Sequence, residues 1–525
     1  MTTDRPSIDR PSYEEASRFL TQAGFGGNEA DVEHVRALGL EGWFREQLTL
    51  PYVDNTSRYQ AVEGNTGHVM TAILWEGIVH GDDQLRRRVA YALGQILVVS
   101  YRDLGGNEVV FTRYADWLAE EAFTSYAAVL RRVSYSPAMG YYLNHLGNRK
   151  ADPQRGTVPN ENYARELMQL FTIGPSPLDA AGRPLPGRTY GPDDVAGLAA
   201  IFTGLSWAGK DRFRGGKVRR DDPAATLPMD AYPVAHEART KRFLGYEAKG
   251  DDPIKAIDGA LAHLIAHENT PVFIGRLLIQ KLVTSNPTPA YVARVAEAFR
   301  TGEHVMPSGA RVGTGVRSDL TATIAAILFD EEARSPARLT DPRFGRVRQP
   351  TLRYAHLVRA FRRPHDVAGV PVPLGRMSHA RFPTFFGEHP WHPPSVFGSF
   401  RPGYAPPNSL TEAAGMVAPE MTVLNEGTAG GYVRFVWDTL RRKDDDALTL
   451  DTAPLEAVVG SSSELAKVIA RRLLHDAPSP RTADRLKAAL ARLGKDGDVS
   501  DTDEERRLLL ALFMGATDPG FAVQR

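Results

Sequence analysis

The sequence predicts an all-α protein: apolar residues recur at helical spacing along most of its length, alternating strand patterns are scarce, and Gly and Pro cluster between the periodic stretches. The expected architecture is one large composite helical domain over residues 1–525, with little or no β-sheet. Pro/Gly-rich loop excursions are expected at 175–250 and 364–407. A composition of 42% apolar and 24% charged residues is that of an ordinary globular chain able to bury a sizeable core.

In chain order, three- and four-residue apolar spacing predicts helices over 13–23, 32–48, 84–99 and 111–133, the third apolar on most sides. A helix over 192–202 interrupts the first loop-rich excursion. Helices resume over 253–267, and the next has a start signal in Thr270 as cap and Pro271 in the first turn. Further helices are expected over 289–300, 319–329, 463–475, 482–493 and 504–514. No repeat of 20 to 50 residues is seen, so a solenoid is not expected.

Charge and motif content narrow the function classes. The 63 basic residues balance 63 acidic ones, which argues against a dedicated nucleic-acid binder. The basic runs Arg86-Arg87-Arg88 and Lys217 to Arg220 read as solvated faces. With no cysteine, disulfides and thiolate chemistry are excluded, and any divalent metal needs His and carboxylate ligands. The first thirty residues lack the apolar core of a signal peptide, and the longest apolar run, 96–99, is too short to span a bilayer. A cytoplasmic protein without membrane partner is expected. No GxSxG elbow, P-loop or strand-Gly-helix unit appears, so no nucleotide cofactor is expected.

The most informative segment is PNENYARELMQLFTIGP. Asn160 can cap a helix, Glu161 suits its positive end, and Gly174-Pro175 ends the element. Helical spacing puts Asn162, Arg165, Glu166 and Gln169 on one face, with Ala164, Leu167, Met168 and Phe171 on the other. An exposed helix laced by polar contacts is one reading. The other points Glu161, Arg165 and Glu166 into a cleft, where they position a substrate or hold a metal.

NENYARELMQLFTIG closely resembles the hallmark of the domain of unknown function 1800 family. LRRRVAYALGQILVVS, FTGLSW, HEARTKRFLGY, HENTPVFIGRLLIQKLVTSNPTPAYVARVA and PPSVFGSFRPGYAPP resemble further family blocks in the expected order. The resemblance covers nearly the whole chain. It implies a mostly bacterial family without an assigned activity, whose members often carry export signals. It also implies a partner, because members often occur beside the sulfatase-like domain of unknown function 1501 family. Carried over residue by residue, it marks Asn148, Lys150, Glu161, Asn162, Arg165, Glu166, His236 and Lys241 as shared polar positions, without roles. The chain departs from the pattern at Asn144-His145, at His389 and His392 around Trp391, and at Gly398-Ser399.

Two chemistries follow as expectations. In acid/base catalysis, Arg165 keeps Glu161 or Glu166 ionised, as base or anchor. His236 then supplies the proton, while Asn148, Lys150, Asn162 and Lys241 bind substrate. The ordinary alternatives are a loop histidine satisfied by backbone and a surface lysine. In metal-assisted chemistry, His145, His389 or His392 join Glu166. His263 and His267, four apart, are a further pair, although His267 also suits a helix end. Trp391, with Phe385, Phe386, Phe397 and Phe400, reads either as an apolar or sugar-stacking pocket or as core packing of a Pro-rich loop. The expected function is an enzyme acting on a polar small molecule or modified polymer; the alternative is a noncatalytic partner of a sulfatase-like enzyme.

Overall fold

Helix starts follow the caps written in the sequence. In the computed structural model, Ser12 and Glu15 form a reciprocal capping box (3.1 and 2.8 Å) that opens the helix Tyr13–Ala23, and Asn28 with Asp31 does the same for Glu29–Thr49. Thr288 and Asp319 cap Pro289–Thr301 and Leu320–Leu328. The structure describes residues 10–62, 67–209, 221–362, 386–442 and 450–525, with 213, 215, 216, 218 and 219. Lys217, Arg220, Phe385 and the part of the second loop-rich excursion before 386 lie outside the described residues.

The chain is predominantly helical, and the strands among the described residues form four two-stranded antiparallel pairs. One connected cluster of buried apolar side chains runs from Tyr13 to Phe521. Each large apolar side chain so buried contributes roughly 1.5–3 kcal/mol. Among the described residues no helix is long and apolar enough to cross a membrane.

Several local expectations change, and the helix expected over 84–99 ends at Gly94. The 111–133 stretch divides into Glu108–Glu120 and Tyr126–Ser134. Backbone bonds from Tyr126 N to Ser318 O (2.7 Å) and Leu320 N to Thr124 O (2.9 Å) hold the break open, and spacing along the stretch cannot encode such tertiary contacts. Thr270 does not cap: its hydroxyl donates back to Leu264 O at 2.6 Å, and the helix runs Asn269–Leu282. Arg87 and Arg88 are not solvated. Both are buried, Arg87 paired with Asp83 at 2.7 Å and Arg88 donating to Lys281 O at 2.6 Å.

Close backbone approach positions the loops around the polar helix. Gly197, in the helix Pro192–Ile201, faces the strand Lys241–Phe243, where a Cβ would stand 1.7 Å from Arg242 O. Only glycine admits that contact. Gly204, at φ 87°, turns the chain so that its N–H meets Asn148 O and its carbonyl accepts from Tyr232 N, at 2.9 and 2.7 Å.

Candidate functional site

The polar helix occupies Asn162–Gln169, and its two faces separate as the spacing requires. Ala164, Leu167, Met168 and the following Phe171 are buried, Asn162 and Arg165 are exposed, and Glu166 and Gln169 lie between. The approach to the helix is fixed by amides: Asn148 Oδ1 accepts from Asn160 N, and Asn160 Oδ1 accepts from Asn162 N, both at 2.9 Å. Asn148 Nδ2 also donates to Phe202 O at 3.2 Å, tying this loop to the end of Pro192–Ile201. Lys150 is exposed, and its backbone N–H donates to Ala235 O at 2.8 Å.

From beneath, His145 stacks on Tyr163, centroids 3.9 Å apart, and its Nε2 meets Ser134 O at 2.9 Å. The Tyr163 hydroxyl lies 2.6 Å from Ser134 Oγ. Burial pulls the His145 pKa down to about 4, so the ring is neutral and serves as a packed polar shelf.

On the outer face, Arg165 and Glu161 form an exposed ion pair at 2.9 Å. Glu166 is different. Its Oε2 is buried without a hydrogen-bond partner, and burial raises its carboxyl pKa against the opposing pull of Arg165. Two phenols sense its charge. Tyr190 is raised first by burial and donates to Gln169 Oε1 at 3.0 Å; Tyr142 is pushed up to about 12 by burial, then by Asp103 and Glu166. Burial therefore shifts this carboxyl toward its protonated form relative to an exposed glutamate.

His236 and Lys241 are both buried, so Lys241 is not the surface lysine of the ordinary reading. His236 Nδ1 lies 2.9 Å from Thr203 O, and its Nε2 lies 3.1 Å from Lys241 Nζ. Lys241 Nζ also donates to Glu237 O and Gly250 O, at 2.7 and 2.8 Å. Its three protons therefore have three acceptors, and the imidazole has none to spare. Burial lowers both pKa values, and the Lys241 cation lowers that of His236 further, which keeps the ring neutral. The arrangement is a latch between the turn at 203–204 and the hairpin of Lys241–Phe243 and Tyr246–Ala248.

Trp391 is buried edge-on against Trp75 at 5.5 Å, and its carbonyl accepts from Tyr101 N at 2.9 Å. His389 and His392 stack at 3.9 Å, and burial holds the His389 pKa well below its usual value and that of His392 at about 4. Neutral imidazoles suit a metal, but among the described residues no three His, Asp or Glu side chains converge as a metal ion requires. His263 instead meets Leu244 O at 3.0 Å and packs on Tyr246, while His267 Nδ1 accepts from Asn269 N at 3.1 Å.

An interior cluster around Lys281 and Glu388 was not anticipated. Its signal in the sequence is a lysine on the buried stripe of VFIGRLLIQKLV, three and four places after Leu278 and Leu277.

A family model described as "Protein of unknown function (DUF1800)" matches residues 18–522, nearly the whole chain. No curated protein and no solved structure matches it.

Proposed function

We propose, for a chain that belongs to the DUF1800 family of proteins of unknown function, that it is an acid/base enzyme in which Glu166 transfers the proton. The observation that carries this reading is the buried, unpartnered Glu166 Oε2 in a carboxyl whose pKa burial raises. A carboxyl with a raised pKa and an oxygen free of partners is suited to accept and return a proton. Arg165 and Glu161 stand beside it as an exposed pair, worth no more than about 1 kcal/mol, so a polar or anionic substrate group can replace Glu161 at the guanidinium. Tyr142 remains a neutral phenol beside Glu166, and Tyr190 holds Gln169 in place. The substrate is a polar small molecule or a modified polymer laid over the exposed face. His236 has no place in the proton transfer, since both ring nitrogens are engaged within the latch.

The test is consumption of components from a mixed pool of polar metabolites and oligosaccharides, followed by mass spectrometry. Wild type and Glu161→Gln should deplete the same compound, and Glu166→Gln should do so slower by about 10²-fold or more. Equal turnover by Glu166→Gln overturns the assignment. If wild type depletes nothing, the noncatalytic partner reading takes its place.

A further inference from the structure

The interior holds a second ionisable cluster, which the Glu166 reading does not use. Where the helix Asn269–Leu282 ends, the Lys281 carbonyl accepts from two buried guanidiniums, Arg88 Nη2 at 2.6 Å and Arg346 Nη1. Cations at a helix carboxyl end are favourable. The Lys281 side chain is buried as well, its Nζ 4.3 Å from the Phe400 ring centroid. Among the described residues that ammonium has no hydrogen-bond partner.

Lys281 lines a cavity of about 30 Å³ together with Glu388, Gln95 and Gln349. Gln349 is locked, donating to the Tyr91 hydroxyl at 2.5 Å and accepting from Gln95 Nε2 at 3.0 Å, while Gln95 Oε1 is buried and unpartnered. Tyr91, Gln95, Val99 and Pro390 also wall a second cavity of about 90 Å³, lined mainly by apolar and aromatic side chains such as Leu74, Phe111 and Trp391. A water needs about 10–15 Å³, so the polar chamber has room for one small functional group.

Burial favours the neutral amine of Lys281, while the charges around it pull in both directions. Burial brings its pKa down to about 7, with Arg346 and Arg88 adding to the fall and Glu420 and Glu388 opposing it. Burial also raises the Glu388 pKa, so the neighbouring carboxyl keeps its proton more readily. A lysine desolvated beside other cations is an activated nucleophile.

We propose that Lys281 is a nucleophilic lysine that forms an imine with a small aldehyde or ketone, the carbonyl seated in the polar chamber. The Nζ lone pair attacks the carbonyl carbon and the C–N bond forms. The oxygen takes a proton from the Glu388 carboxylic acid, and the nitrogen returns one to it, leaving a neutral carbinolamine. A second donation from Glu388 lets the hydroxyl depart as water while C=N forms, and the protonated imine then restores the acid. Amine and carbonyl become imine and water, with no oxidant or reductant.

Reductive trapping of the full chain with limiting propanal and cyanoborohydride at pH 7, followed by peptide mapping, tests this. Lys281 should be labelled at least about tenfold faster than the exposed Lys249 and Lys467, because burial favours its free amine. Glu388→Gln should slow labelling of Lys281 alone. Lys281→Met, or Lys281→Arg where the first does not fold, should remove that adduct and leave the rest. Labelling no faster than Lys467, an unchanged rate in Glu388→Gln, or thermal stabilisation by propanal without an adduct each overturns the proposal. None of these outcomes bears on Glu166.

Discussion

Lys241 and Lys281 are both buried, yet their surroundings treat a cation in opposite ways. Lys241 Nζ meets a ring nitrogen and two carbonyls, and its region joins one loop to one hairpin. Lys281 Nζ faces an aromatic ring and a small cavity that Glu388 also lines, with guanidiniums nearby and no hydrogen bond to it among the described residues. Burial alone therefore does not distinguish framework from chemistry. Satisfaction does: a buried polar group with every partner in place stabilises the fold, and one left without partners is held ready for something else. Glu166 Oε2 is such an atom, buried with no hydrogen-bond partner.

The largest effect that would break this contrast lies at the latch. Lys241→Met should cost about 3 kcal/mol in urea unfolding, since Glu237 O, Gly250 O and His236 Nε2 lose their donor together. A loss under about 1 kcal/mol would mean that the latch is not framework.

Next comes acid. The His145 pKa, depressed by burial to about 4, lies below the unfolded value, so the stability this ring contributes is present above about pH 6.5 and lost as pH falls toward 4. Removing the ionisable ring in His145→Phe should lessen the acid-induced fall by roughly 1.4 kcal/mol per pH unit across that window. An unchanged slope in pH-dependent unfolding would show the ring to be solvated.

Lys281→Met should leave stability within about 1 kcal/mol of wild type at pH 7, because an apolar side chain replaces a cation that lacks acceptors. A loss as large as that of Lys241→Met would erase the difference between the two lysines. Smallest of all, Glu161→Ala should change the melting temperature almost imperceptibly, since an exposed helix pair is worth about 0.3–0.5 kcal/mol.

The sequence exposed the features that depend on neighbours along the chain. Helical spacing separated Leu167 and Met168 from Arg165 correctly, and the Tyr13–Ala23 helix follows from its periodic apolar residues. It could not reveal that Ser318 and Leu320 interrupt the 111–133 stretch, nor that Lys241 folds inward onto His236. The Lys281 chamber draws Gln95, Gln349 and Glu388 from separate segments of the chain, so no motif spacing describes it. The polar helix was legible as a place, whereas the division of roles between Glu166 and His236 depends on burial and partners.

The most direct test of the Glu166 assignment is its own titration. Glutamate-selective ¹³C labelling of the full chain, with the signal identified by its loss in Glu166→Gln, gives the carboxyl pKa by NMR. The account predicts a midpoint above the ordinary glutamate value of about 4.3. A midpoint at or below that value would contradict the assignment, because the pull of Arg165 would then outweigh burial at this carboxyl.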